Sequence, residues 1–149
     1  MVALVLLDSN FLFLPMQFKV DIFEEIPRLM EEKTDIIVLS GVKDEIMEKN
    51  KRTAGKLVSK QGIGVLQLLS KKIEQGLVKL VKVDRRPGEL VDDYIIRGAS
   101  QLKTPGPGNK ENVIKRIAVA TNDKGLKNKC STVGITVIQL RQKTHLEIL

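Results

Sequence analysis

Tryptophan is absent from these 149 residues, and tyrosine, histidine and cysteine occur once each. A single cysteine, Cys130, excludes an internal disulfide framework and a cysteine-rich zinc centre. A single histidine, His145, excludes catalysis by a histidine pair within one chain, and no nucleophile elbow accompanies it. With aromatics at 3%, stacking of bases on rings is a minor route to recognition. No apolar run reaches the roughly 18 residues of a membrane helix, and Val2–Leu7 lacks the basic leader of a signal peptide. A phosphate-binding loop is missing too: Gly106 and Gly108 follow no strand, and no Gly-Lys-Ser/Thr comes after them. Asp8-Ser9-Asn10 stands where a dinucleotide-binding glycine fingerprint would begin. The expectation is a soluble, cytoplasmic protein with no membrane partner.

What is present is enough apolar residue, 42%, for one core, and a length that suits one domain over 1–149. The net charge of +7 is uneven: −4 over residues 1–42, +6 over 43–82, −2 over 83–96 and +7 over 97–149. Basic stretches between acidic ones are the electrostatic footprint of a polyanion-binding surface. Solvated lysines on helix faces would give the same composition.

The apolar period changes repeatedly along the chain. Val2–Leu7 and Ile36–Leu39 are continuous apolar runs, as in strands buried on both faces of a parallel sheet. Phe18, Ile22, Phe23, Ile26, Leu29 and Met30 recur at helical spacing, with Pro27 a candidate kink. A second helix runs through Val42, Ile46 and Met47, and a third, capped by Thr53, through Leu57–Ile73. Leu77–Val83 reads as a third strand, and Pro87-Gly88 as a turn before a helix bearing Ile95, Ile96, Ala99 and Leu102. The Pro/Gly-rich stretch over 103–112 reads as a mobile loop. Ile117–Ala120, Lys124–Cys130 and Ile135–Leu140 read as strand, helix and strand, while Arg141–Leu149 is open between strand, helix and docked arm. The pattern gives an α/β fold with a mostly parallel, five-stranded sheet.

Ligands of such sheets bind beyond the carboxyl ends of the strands. Each strand end there is followed by an acid: Asp8, then Glu45 one turn into a helix, then Asp92-Asp93 opening another, then Asp123 after Thr121-Asn122. Taken singly, Asp8 and Asp123 are ordinary helix caps and Glu45 is a solvated helix residue. Asp92 is different, because it precedes Ile95, Ile96 and Ala99 on the buried stripe of its helix. Asp93 is rotated about 100° away. Four converging carboxylates repel one another unless a cation sits among them, and an oxygen-rich set favours Mg2+ or Mn2+ over zinc. Beside basic flanks, that points to a metal-dependent nuclease.

At these residues the sequence resembles the PIN-domain ribonucleases. The matching pieces are Leu7–Phe11, Val42–Ile46, Val91–Ile96 and Ala120–Lys127, in the family's order. The last two resemble the branch that processes small-subunit ribosomal RNA, and the whole is similar to the VapC toxins of toxin–antitoxin pairs. The resemblance implies an α/β/α sandwich that cuts RNA with Mg2+ or Mn2+. It implies Asp8 and Asp92 as principal metal ligands, completed by Glu45 and Asp123, with Asn10, Thr121 and Asn122 in support and Asp93 the secondary member of its pair. It also implies a homodimer, and either an antitoxin or ribosome-assembly proteins as partners.

Lys49, Lys51, Arg52, Lys124, Lys127 and Arg141 are candidates for contacts to the RNA backbone. In-line attack by water predicts 5′-phosphate and 3′-hydroxyl products. The competing expectation is a nuclease-inactive RNA-binding module in ribosome assembly. A phosphoacceptor signalling domain is a more distant one, because the acidic pair before its first strand's aspartate is missing. Cys130, in a lysine-rich helix, reads as a buried structural thiol.

Overall fold

A computed structural model describes residues 2–52, 57–103 and 114–149. The cap expected at Thr53 and the loop expected beyond Lys103 lie outside these residues. Strand β1 (Val2–Leu7) leads into two short helices, α1 (Ser9–Leu12) and α2 (Leu14–Phe18), then α3 (Ile22–Met30). Strand β2 (Thr34–Leu39), helices α4 (Ser40–Arg52) and α5 (Leu57–Glu74), strand β3 (Val78–Val81) and helix α6 (Val91–Lys103) follow. The chain ends with β4 (Ile114–Ala120), α7 (Lys124–Thr132), β5 (Thr136–Arg141) and β6 (His145–Ile148).

Consecutive strand residues point to opposite faces. Yet Ala3–Leu7 and Ile36–Leu39 are buried throughout, as are Ile117–Ala120 of β4. Both faces of the central sheet are therefore covered, which is why those stretches are continuously apolar rather than alternating. Each fully buried Leu or Ile there contributes roughly 1.5–3 kcal/mol relative to exposure.

The strand order is β3-β2-β1-β4-β5-β6. All neighbours are parallel except β5 and β6, which pair antiparallel with Arg141 opposite His145. The tail left open by its sequence is thus a sixth strand, and the sheet is one strand wider than the five expected. Its turn is built by Gln142 and Lys143, both at positive φ (54° and 60°), so the reversal rests on backbone that no glycine announced. The helical turns of α1 and α2 were also unannounced, because their apolar residues crowd together: Phe11, Leu12 and Leu14 are all buried. Helix α3 starts at Ile22, not Phe18, since Asp21 accepts from the Phe23 and Glu24 N–H groups and caps it there.

The sheet order reverses direction between β1 and β4, which leave each other in opposite senses of chain progression. Such a switch point opens a crevice at the carboxyl ends of the two strands. Asp8 follows one strand and Thr121 the other.

Helix α6 is held against this crevice by close contacts. The buried Tyr94 hydroxyl donates to the Val83 carbonyl at 2.6 Å and accepts from the Gly41 N–H at 2.9 Å. A Cβ at Gly41 would lie 2.7 Å from the tyrosine ring, so the start of α4 approaches α6 only as glycine. Arg97 donates to both oxygens of Glu89, at 2.9 and 2.8 Å, and to the Asp84 carbonyl at 2.7 Å. These bonds stitch the β3–α6 connection to the two helices that carry Glu45 and Asp92.

Candidate active site

Asp8 is the most enclosed of the four acids. It caps α1 through the Ser9 N–H at 2.7 Å, and the buried Thr121 hydroxyl donates to its other oxygen at 2.7 Å. Thr121 in turn accepts from the Asp123 N–H at 3.0 Å, so one hydroxyl fixes the acids that end β1 and β4. Burial pushes the Asp8 carboxyl above the usual aspartate range. The two hydrogen bonds oppose that shift, while the charges of Glu45 and Asp123 add to it.

Asp92, in the first turn of α6, is also raised, first by partial burial and next by the charge of Asp123. Lys129 opposes this, with its amine 3.9 Å from Asp92 and 3.2 Å from Asp93. The expected rotation of the pair holds: the Asp92 side chain is 27% exposed and that of Asp93 is 54%. A Cβ at Gly125 would stand 3.2 Å from an Asp123 oxygen and 3.6 Å from an Asp92 oxygen, so both carboxylates converge on the start of α7. Asp123 meanwhile caps that helix, accepting from Gly125 at 2.8 Å and Leu126 at 3.2 Å.

Glu45 reaches the site from α4. One of its oxygens pairs with Lys49 at 3.1 Å, and the other is buried with no hydrogen-bond partner. An unpartnered buried carboxylate oxygen is costly unless a cation completes it. Among the described residues no three His, Cys, Asp or Glu side chains gather closely enough to hold an ion unaided. Mg2+ seldom needs such a cage, because it keeps waters and takes one or two carboxylates together with substrate phosphates. The donor set, all oxygen and mutually repelling, fits a hard divalent ion.

Several other expected residues are placed elsewhere or are already engaged. The Asn122 side-chain oxygen accepts from the Leu140 N–H at 2.9 Å, which ties the β4 end to β5. Asn10 is exposed on α1. Lys127 donates to Gln139 at 3.0 Å, and Arg141 pairs with Glu147 at 3.1 Å. Lys51 and Lys124 are exposed, and the Arg52 side chain lies outside the described residues. Cys130 is buried, and burial together with the nearby Asp92 and Asp8 charges pushes its thiol up to about 11, so the lysines of its helix do not activate it. Lys129 and Tyr94 are the residues that sequence reasoning missed. Lys129 was one lysine among several on its helix, and Tyr94 gave no signal beyond being the single tyrosine.

A family model described as "PIN like domain" matches residues 5–104. Ribonuclease VapC4 of Methanocaldococcus jannaschii is 32% identical over 141 residues, covering 95% of this chain and 92% of that protein. The solved structure of the PIN domain endonuclease Utp24 superposes with a TM-score of 0.70 at 21% identity, over 97% of this chain and 90% of that one. At that identity the second likeness speaks for the fold.

Proposed function

This chain belongs to the PIN-like domain family, and on that premise we propose that it is a metal-dependent endoribonuclease of the VapC kind, acting in the cytoplasm. The observation that carries this reading is the unpartnered, buried oxygen of Glu45, an acid whose charge acts on both Asp8 and Asp92, themselves raised first by burial. Acids gathered at the ligand-binding edge of a parallel sheet, with only Lys49 and Lys129 as basic partners among the described residues, suit a bound cation better than a purely structural role. The domain is taken to extend from residue 1 to 149, beyond the family match, because β4, β5 and β6 complete the same sheet.

Mg2+ or Mn2+ bound there would polarise the phosphodiester and activate water. Asp8, Glu45, Asp92 and Asp123 would hold it. Thr121 keeps the Asp8 oxygens oriented, and Ser9 fixes the same carboxylate from the backbone. Lys129 stands at the rim of the acids as a donor for a phosphate oxygen, and Lys51 and Lys124 remain exposed for the flanking backbone. Such contacts position RNA without reading it, so an antitoxin would act by placing a basic side chain among the same acids.

The test is cleavage of a mixed RNA pool by wild type, Asp92→Asn and Asp93→Asn with Mg2+ or Mn2+, and by wild type in EDTA. The expected result is 5′-phosphate products that vanish in EDTA and in Asp92→Asn and persist, reduced, in Asp93→Asn. RNA binding without any cleavage by wild type would instead make the chain an RNA-binding module, and metal-independent cleavage would remove the metal from the mechanism.

A further inference from the structure

A chain so poor in aromatics has few rings for stacking: Tyr94 and Phe11 are fully buried, Phe23 nearly so, and the exposed Phe18 sits on α2 beneath the Lys143 amine. Beside the acids, between α6 and the end of α7, lies a cavity of about 270 Å³ lined by Asp93, Ile96, Lys129, Thr132 and Val133. We infer that this cavity is a subsite for one nucleobase of the RNA, adjacent to the phosphodiester that is cut, with guanine the preferred occupant; the inference rests on the nuclease reading above.

Three observations support it. Its position comes first: Lys129 belongs both to the cavity and to the acid site, with its amine 3.9 Å from Asp92. A nucleotide whose phosphate meets that amine on the Asp92 side therefore has its base on the Ile96 and Val133 side.

The wall chemistry comes second. Val133 is 56% exposed at the C-terminal cap of α7, an apolar side chain that no core contact accounts for, and with Ile96 it forms an aliphatic surface suited to the face of a flat base. Pockets for small flat ligands combine apolar walls with a few placed polar groups. Here those groups are Asp93 and Lys129, paired at 3.2 Å with side chains 54% and 39% exposed. An ion pair that open to water holds weakly and yields to a better partner.

The hydrogen-bonding pattern comes third and selects the base. A carboxylate only accepts, and it has two oxygens. Guanine alone among the four bases presents two adjacent N–H donors on its pairing edge, N1–H and the exocyclic amine, so it matches both oxygens of Asp93 at once. Cytosine and adenine offer an amine without an adjacent ring donor, and uracil a single ring N–H. Single-stranded RNA is commonly read through splayed bases bound on that edge.

Binding can be read without cleavage. The full chain, methyl-labelled at Ile and Val and kept in EDTA, is titrated with GMP, AMP, CMP, UMP and inorganic phosphate while the NMR shifts of Ile96 and Val133 are followed. Expected are saturable shifts at both methyls with GMP, an apparent affinity at least several-fold weaker for the other nucleotides, and no such shifts with phosphate. Asp93→Asn should remove the preference for GMP, and Val133→Trp, which fills the cavity from an exposed position, should remove binding. Equal shifts with phosphate, or no shifts with any nucleotide, would overturn the subsite. In the RNA-pool assay Val133→Trp should cut more slowly and lose any bias toward guanine beside the cut; a bias that survived would also refute it. An inactive wild type that still shows the GMP shifts would count against the nuclease reading and leave the base site standing.

Discussion

Two acidic regions flank helix α6, and the fold treats them in opposite ways. Glu89, just before the helix, receives both arms of Arg97, and that contact holds its carboxyl at about 2. Asp92, three residues later, and Asp8 across the crevice are pushed up instead, by burial first and by other acids after it. Where a carboxylate serves the architecture, the chain supplies a guanidinium in bidentate geometry. Around the crevice the chain supplies, among the described residues, only two lysines, Lys129 and Lys49, and leaves a Glu45 oxygen unpartnered; under the proposed function a bound cation would supply the rest of the charge.

That contrast can be broken from either side. The largest effect is expected from Asp8→Asn, which removes a carboxylate already oriented by Thr121 and Ser9; RNA cleavage should fall by about 100- to 1,000-fold, read as initial rates under saturating Mg2+ or Mn2+. Arg97→Met attacks the compensated side. It strands Glu89 and removes the cation 5.6 Å from the Tyr94 ring centre, so thermal unfolding at pH 7 should show a clear drop in Tm. The sign with pH is fixed by Glu89: a lowered value adds stability above the ordinary glutamate range that is lost as pH falls toward about 2. The gap between Arg97→Met and wild type should therefore close on acidification through that window.

Asp92→Asn sharpens the comparison with a smaller effect of opposite sign. A raised carboxyl favours the fold at low pH, and that contribution is lost as pH rises through its shifted value. Metal-free Asp92→Asn should thus unfold at a temperature equal to or slightly above wild type at pH 7.5. Mn2+ should raise the wild-type Tm more at pH 7.5 than at pH 5 and should raise that of the variant least. At the bottom of the scale, Arg28→Ala breaks contacts to Glu24 and Glu25 that are 68% and 65% exposed at the closer pair, and a change below about 0.5 kcal/mol is expected from denaturant unfolding.

Much of this architecture was legible beforehand. Val2–Leu7 and Ile36–Leu39 had to be doubly covered strands because no polar residue interrupts them, and the strand-then-acid rhythm placed Asp8, Asp92 and Asp123 at one rim. Which of Asp92 and Asp93 is the more enclosed was legible as well, since one helix turn of apolar spacing decides which of two neighbours faces inward. Asn122 was not: its side chain serves the Leu140 backbone, a partner 18 residues away that local pattern does not reveal. Nor was the last strand, whose turn uses non-glycine residues at positive φ.

By itself the sequence determined the class of fold and the family, because apolar period and the order of short motifs are local properties of the chain. Tertiary structure decided which charges are compensated. Arg97 finding Glu89, Tyr94 spanning Gly41 and Val83, and Lys129 reaching Asp92 and Asp93 all join residues brought together by folding, and burial, which raises Asp8, Asp92 and Cys130, exists only once both faces of the sheet are covered.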